Sequence, residues 1–280
     1  MNLTEYDISN PVTTTVLSSE RITPAHTAEV RHITLAVPED GLDFVEGQSI
    51  GVLAPGPHEF GNPFHLRLYS IASTQSAQAI SICVRRCFYV DEVSGESYPG
   101  KASNFLCDAR PGDKVQITGP YGAHFSVPSD DTSNLLMVGV GTGIAPFRAF
   151  VRHIYEDRGG WQGKVRLFYG ARTGLELLYR NDPESDLSLF YDRATFQAFE
   201  AVSPRPHFDV PPEIDKVLIA HSTEVWEMVK DPKTYIFLAG LEQAAEQFEA
   251  AMVHISGSEE EWRKVRSEIA SRDHYAELLY

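Results

Sequence analysis

Two short stretches carry residue types suited to chemistry. The first is Gly139-Val140-Gly141-Thr142-Gly143-Ile144-Ala145-Pro146. It closes an unbroken apolar run, Leu135–Val140. It precedes a segment in which Ile144, Phe147, Phe150, Val151, Ile154 and Tyr155 recur at intervals of three and four. That pattern predicts a buried strand, a glycine loop and a helix. Glycines let a backbone approach a pyrophosphate, and a helix start offers unsatisfied N–H groups at the positive end of its dipole. The segment departs from the G-x-G-x-x-G dinucleotide fingerprint, because Pro146 stands where the third glycine belongs. A pyrophosphate cradle and a ligand-free glycine turn both fit this context. The second stretch is Arg67-Leu68-Tyr69-Ser70. An arginine for phosphate, a ring for stacking and a hydroxyl for a hydrogen bond suit one flat anionic ligand. Strand alternation sends Tyr69 and Ser70 to opposite faces, so both reach one ligand only at a strand end or bend. An ordinary half-exposed strand fits the same residues.

These stretches must be positioned by two different kinds of architecture. Up to about residue 125 the chain reads as short strands punctuated by Gly and Pro. Runs at 31–37, 44–52, 65–72, 79–90 and 114–120 predict an antiparallel barrel. In the 79–90 run, Ile80, Ile82, Val84, Phe88 and Val90 are expected on one face. Ser81, Cys83, Arg85, Cys87 and Tyr89 are expected on the other. The polar stretch 126–134 is the candidate linker. Beyond it, strands expected at 135–140, 165–169, 195–202 and 234–239 alternate with helices at 144–155, 224–229, 242–255 and 259–271. That alternation predicts a doubly wound parallel α/β sheet.

Composition narrows the function classes. The 280 residues carry 24 Lys and Arg against 39 Asp and Glu, a net charge of −15, and 42% are hydrophobic. A sizeable core is available, which excludes wholesale disorder. The acidic balance weighs against nucleic acid, whose phosphates need clustered Lys and Arg. No apolar run approaches the roughly eighteen residues of a membrane span. The first residues, Met1-Asn2-Leu3-Thr4-Glu5, lack the basic-then-apolar order of a secretory signal. Three cysteines, Cys83, Cys87 and Cys107, cannot all pair, and a cytoplasmic setting is expected. Three are also too few for a four-cysteine iron–sulfur cluster, and the ten histidines form no HxxxH pair, so no metal site is expected.

Taken in order, the motifs resemble a known family. Arg67-Leu68-Tyr69-Ser70, Cys83-Val84-Arg85-Arg86, Ser103-Asn104-Phe105-Leu106-Cys107-Asp108, Gly119-Pro120 and Gly141-Thr142-Gly143-Ile144-Ala145-Pro146-Phe147-Arg148 follow one another, and the sequence closes on Tyr280. From about residue 30 onward the chain resembles a plant-type ferredoxin–NADP⁺ reductase. The resemblance implies an FAD-binding antiparallel β-barrel over residues 1–128 and an NADP-binding α/β domain over 129–280. It implies that Tyr69 stacks on the isoalloxazine and that Ser70 hydrogen-bonds near its N5. Arg67 would pair with the FAD pyrophosphate, helped by Ser103 and the adjoining backbone at Ala102. Tyr89 would stack on the adenine, and Cys83 and Arg85 count with the cofactor-binding residues. For the nicotinamide nucleotide, Gly141, Thr142 and Gly143 would meet the pyrophosphate. Gly240 and Leu241 would lie beside the nicotinamide, and Arg172 is a further cofactor-binding candidate. Tyr280 would cover the second flavin face and move aside for hydride transfer. Ser70 and Tyr280 are therefore the catalytic candidates. The implied partner is ferredoxin or a flavodoxin-like carrier.

The departures from the family pattern are specific. Ala239 stands where the family usually has Cys, and Leu278 where it usually has Glu. Glu277 is one residue off and, in a strand, faces the other way. These replacements weigh against fast ferredoxin–NADP⁺ exchange but leave flavin binding untouched. The phosphate-selecting Ser-Arg pair reads Ser203-Pro204-Arg205 here. An arginine suits a 2′-phosphate, and no carboxylate follows the strand to take a ribose 2′-hydroxyl. NADP is therefore favoured, with NAD possible. Eight basic residues, Arg85, Arg86, Lys101, Arg110, Lys114, Arg148, Arg152 and Arg158, are expected either to form a docking island for an acidic carrier or to be an ordinary solvated mixture of charges. The reductase component of an oxygenase, or a flavin- and nucleotide-binding subunit with little turnover, are the alternative functions.

Overall fold

The computed structural model describes residues 6–37, 42–56, 63–180, 186–208 and 210–280. The chain divides into two compact units, Met1–Ala123 and His124–Tyr280.

The first unit is built on strands β1 (Val12–Arg21), β2 (Val30–Ala36), β3 (Ser49–Pro55), β4 (Phe64–Ser70), β5 (Ala79–Arg85), β6 (Phe88–Val90), β7 (Ser97–Pro99) and, after helix α1 (Lys101–Asp108), β8 (Lys114–Tyr121). Six of them form one antiparallel sheet in the order β4-β3-β8-β1-β2-β5. Its two outer strands meet through the isolated bridge Ile71↔Ile82, so the expected barrel curls round and is joined there by a bridge rather than a ladder. Ile33, Leu35, Ile50, Val52, Ile80, Ile82, Val84 and Ile117 point inward, and Leu106 of α1 packs against them. Each such side chain contributes roughly 1.5–3 kcal/mol by leaving water.

One strand was missed in the sequence, and one expectation changes. Strand β1 lies in the middle of the sheet, yet its Val-Thr-Thr-Thr-Val-Leu-Ser-Ser start gives no apolar alternation; only Thr14 and Val16 of the strand are buried. The run 79–90 is two strands, not one. Pairing with β2 ends at Val30↔Arg85, and β6 pairs with β7 instead. Arg86 explains the break. Its guanidinium donates to Glu29 at 2.7 Å, Asn104 at 2.9 Å and Asp108 at 2.8 Å. The next amide, Cys87, donates to Ser103 Oγ at 3.2 Å. Phe88 and Val90 are consequently 62% and 63% exposed rather than continuing the core face.

The second unit holds β9 (Asn134–Val140), β10 (Val165–Ala171), β11 (Phe196–Val202), β12 (Thr234–Gly240) and β13 (Tyr275–Leu279), all parallel in the order β11-β10-β9-β12-β13. Helix α2 (Ile144–Arg152) follows β9, and α3 (Ile214–Ala220), α4 (Ser222–Lys230), α5 (Glu242–Ser256) and α6 (Glu259–Ala270) follow later. Leu136, Val138, Phe168, Ile236 and Leu238 form one apolar cluster with Ile214 and Leu218 of α3, Val225 of α4, Phe248 and Met252 of α5 and Trp262 of α6. Around α2, Phe147 and Phe150 pack with Phe125, and Phe150 and Phe125 pack with Phe237 of β12. The chain steps outward from β9 through β10 to β11, then returns to β12 on the other side of β9. The topological switch therefore lies at the carboxyl ends of β9 and β12, where open α/β sheets bind ligands.

Candidate nucleotide and flavin sites

The switch point collects most of the second-unit candidates. Gly143 sits so close to β12 that a Cβ there would lie 2.1 Å from the Ala239 carbonyl oxygen. Gly240 has φ +126° and also passes Val140 closely, with a Cβ position 2.7 Å from its oxygen. Only glycine fits such positions. No side chain caps the turn Gly141–Gly143 that runs into α2, and because the Ile144 amide at the helix start donates to the Gly141 and Thr142 carbonyls, the glycine turn rather than the helix start is the candidate anion contact. The residues present thus fit a pyrophosphate. Leu241 follows as the half-exposed residue that opens α5. The Tyr280 amide donates to the Gly240 carbonyl at 3.0 Å, and its phenol is hydrogen-bonded to the Thr142 hydroxyl. Gly141–Gly143, Gly240, Leu241 and Tyr280 are therefore brought to one place.

A second group forms where β10 and β11 end. The Ser203 amide donates to the Arg172 carbonyl at 3.3 Å, and the Arg205 amide donates to Ser203 Oγ at 3.1 Å. Ser203 is buried with its hydroxyl engaged in its own turn, whereas Arg205 is exposed. Arg172 donates to the buried Glu176 carboxylate at 2.9 Å, and its buried Nε has no hydrogen-bond partner. Two residues here were not expected from the sequence. Glu176 orients Arg172, and the i, i+4 spacing was the available signal. Phe208, 78% exposed beside Arg205, offers a bare ring face, and nothing in its Pro-rich surroundings marked it out.

In the first unit, Arg67, Tyr69 and Ser70 end β4. Arg67 is exposed, and Tyr69 packs partly against the core. Burial first, and then the Cys87 and Cys107 thiols, hold the Tyr69 phenol well above the ordinary tyrosine range, so it stays a protonated donor. Ser70 pairs with Ser49 across the β3–β4 ladder, and Ser49 Oγ donates to Ser70 Oγ at 3.5 Å. Helix α1 also lacks a side-chain cap; Ala102 is buried in its first turn, and Ser103 Oγ donates to Gly100 at 3.3 Å. An uncapped helix start suits a phosphate. Tyr89 stacks on Tyr98 across the β6–β7 hairpin, ring centres 5.5 Å apart, and stays half exposed. Cys83 is buried in β5 and Arg85 is exposed at its end. Because the strand breaks after Arg85, the common face expected for Cys83, Arg85 and Tyr89 does not extend to Tyr89. Burial pushes the Cys107 thiol up to about 11, which leaves it an inert core group.

The departures also find their places. Ala239 and Leu278 are register partners on β12 and β13, so the two apolar replacements sit side by side. Glu277 is paired instead with Arg266 of α6 at 3.5 Å. The basic residues do not form a free set. Arg86 is held by Glu29 and Asp108. Arg148 is 8% exposed, ion-paired to Asp186 and beneath the Tyr179 ring. Arg152 pairs with Glu156 at 3.0 Å, and Arg158 donates to the Pro128 and Ser129 carbonyls. Lys114 donates to Thr15 at 2.6 Å. Arg85, Lys101 and Arg110 remain exposed in the first unit.

A family model described as an oxidoreductase NAD-binding domain matches residues 137–250. The chain is 34% identical over 260 residues to the cyanelle ferredoxin–NADP reductase of Cyanophora paradoxa, covering 89% of this chain and 70% of that protein. It is 33% identical over 253 residues to the chloroplastic ferredoxin–NADP reductase of Spinacia oleracea, covering 86% and 68%. The solved ferredoxin–NADP⁺ reductase from Plasmodium falciparum matches with a TM-score of 0.75 over 98% of both chains at 19% identity, a likeness of fold.

Proposed function

Because the chain belongs to the ferredoxin–NADP reductase family, we propose that it is an FAD-dependent oxidoreductase moving electrons between NADPH and a one-electron carrier, ferredoxin or a flavodoxin. The observation that carries this reading is the convergence of Gly143, Gly240 and Tyr280 at the switch point. FAD belongs to the first unit and NADP to the second. Bound flavin supplies the exchange between hydride and single-electron chemistry. The protein's own residues bind and orient. Arg67 and the open start of α1, around Ala102 and Ser103, hold the FAD pyrophosphate. Tyr69 packs on the ring system, and the Ser70 hydroxyl supplies a hydrogen bond at its reacting edge. Tyr89 offers its ring to the adenine. Gly141, Thr142 and Gly143 take the NADP pyrophosphate, while Arg172 and Arg205 hold the 2′-phosphate. Tyr280 covers the flavin until nicotinamide displaces it.

Among the described residues no helix is long and apolar enough to cross a membrane. We place the enzyme in the cytoplasm, a reading supported by three free cysteines. A second reading, the reductase component of a dedicated system such as an oxygenase, is favoured by the paired Ala239 and Leu278. Reconstitution decides between them. NADPH oxidation is followed with purified ferredoxin, flavodoxin and candidate oxygenase components. Rapid, saturable turnover with ferredoxin or flavodoxin supports the first reading; turnover with an oxygenase component alone transfers support to the second.

A further inference from the structure

The phenol of Tyr280 is hydrogen-bonded to the hydroxyl of Thr142, a residue 138 positions away and in the middle of the glycine loop. The backbone of Tyr280 is fixed separately by its amide on Gly240. The residue is therefore tied to the switch point at two places, its phenol to the glycine loop and its amide to β12. Thr142 itself is only partly buried. A threonine hydroxyl has one proton and two lone pairs, and its β-branched side chain moves between few rotamers. Turning that hydroxyl toward a phosphate on the loop takes it away from the phenol.

Resting on the NADP reading above, we propose that Thr142 is a positioning residue that latches Tyr280 in its covering position, and that pyrophosphate capture by the loop opens the latch. The ring then leaves as the nicotinamide arrives. The two halves of the nucleotide act on one hydroxyl pair, so the loop reports pyrophosphate occupancy to the gate. The closed population lowers the apparent affinity for the whole nucleotide by the fraction of time the gate is shut. A neutral hydrogen bond of this kind corresponds to about a two- to tenfold change in that affinity.

The test is a double-mutant cycle in the FAD-loaded enzyme with Tyr280→Phe, Thr142→Val and both together. Dissociation constants are measured by calorimetry for NADP⁺ and for 2′-phospho-AMP, which carries neither the pyrophosphate nor the nicotinamide. Tyr280→Phe keeps the ring and removes only the hydroxyl. It should tighten NADP⁺ by about two- to tenfold and leave 2′-phospho-AMP unchanged. Thr142→Val should change NADP⁺ affinity by a factor that differs about two- to tenfold between the wild-type and Tyr280→Phe backgrounds, with Thr142→Ser behaving as wild type. An unchanged NADP⁺ affinity in Tyr280→Phe, or factors that simply multiply in the double variant, overturns the latch while leaving NADP binding intact. A wild-type enzyme that binds neither NADP⁺ nor 2′-phospho-AMP overturns the NADP reading itself, and the latch with it.

Discussion

Replacing Gly143 by alanine tests the geometry of the switch point. The new methyl would lie 2.1 Å from the Ala239 oxygen, 2.4 Å from its carbonyl carbon and 2.7 Å from the Gly240 nitrogen. All three are backbone atoms, so no flexible side chain can yield. Ala239 lies in β12, which is hydrogen-bonded to β9 on one side and β13 on the other. Roughly 1 Å of separation has to come from moving that central strand or the loop. Overpacking of this kind costs about 1–3 kcal/mol, and its backbone character puts it at the upper end. For a unit of this size about 3 kcal/mol lowers the melting temperature by about 6–12 °C. Gly174 is the control, with ordinary φ and nothing within 4 Å of an added Cβ; Gly174→Ala should stay within about 0.5 kcal/mol of wild type. Differential scanning calorimetry gives the stability, NADP⁺ titration the binding loss, and the flavin spectrum the integrity of the first unit. A Gly143→Ala protein that melts with wild type and binds NADP⁺ normally would refute the close approach on which the cradle rests.

Three further outcomes follow from named contacts. Arg148→Ala leaves the buried Asp186 carboxylate with Arg152 alone, at 3.8 Å, and should cost about 1.5–3 kcal/mol in urea unfolding, with Asp186→Asn in the same chain recovering part of it. The Arg86 guanidinium holds the Glu29 carboxyl below its ordinary range, so this pair's stabilisation is complete above about pH 4.3 and is lost as pH falls through the lowered value. Arg86→Ala should flatten the stability–pH profile in that acid window; an unchanged slope contradicts the assignment. Arg205→Ala should reduce the preference for NADPH over NADH by about tenfold or more, because a charged hydrogen bond of about 1.5–3 kcal/mol is lost only with the phosphorylated nucleotide. Equal losses with both nucleotides would remove Arg205 from the 2′-phosphate.

The glycine loop was legible because everything that makes it is local: an apolar strand, three glycines within five residues and a helix with regular spacing. The parallel sheet was legible for the same reason, since its strands are continuous apolar runs. Strand β1 was not, because Thr and Ser at its centre satisfy the ladder without an apolar stripe. The run 79–90 misled because its alternation persists in residue type after Arg86, held by Glu29 and Asp108, has turned the chain away from β2. Charge was the least legible property. Arg148 and Arg152 read as surface cations, yet Asp186, far along the sequence, neutralises both. The pairing of Thr142 with Tyr280, and of Ala239 with Leu278, depends on strands that meet only in the folded sheet.

Every role assigned above depends on this chain carrying a flavin that a nicotinamide nucleotide reduces. Anaerobic stopped-flow mixing of the yellow, FAD-loaded protein with NADPH and with NADH in parallel measures this directly. NADPH should bleach the flavin band rapidly and saturably, and NADH should bleach it more slowly. A protein that holds no FAD after reconstitution, or a flavin that neither nucleotide bleaches, would contradict it.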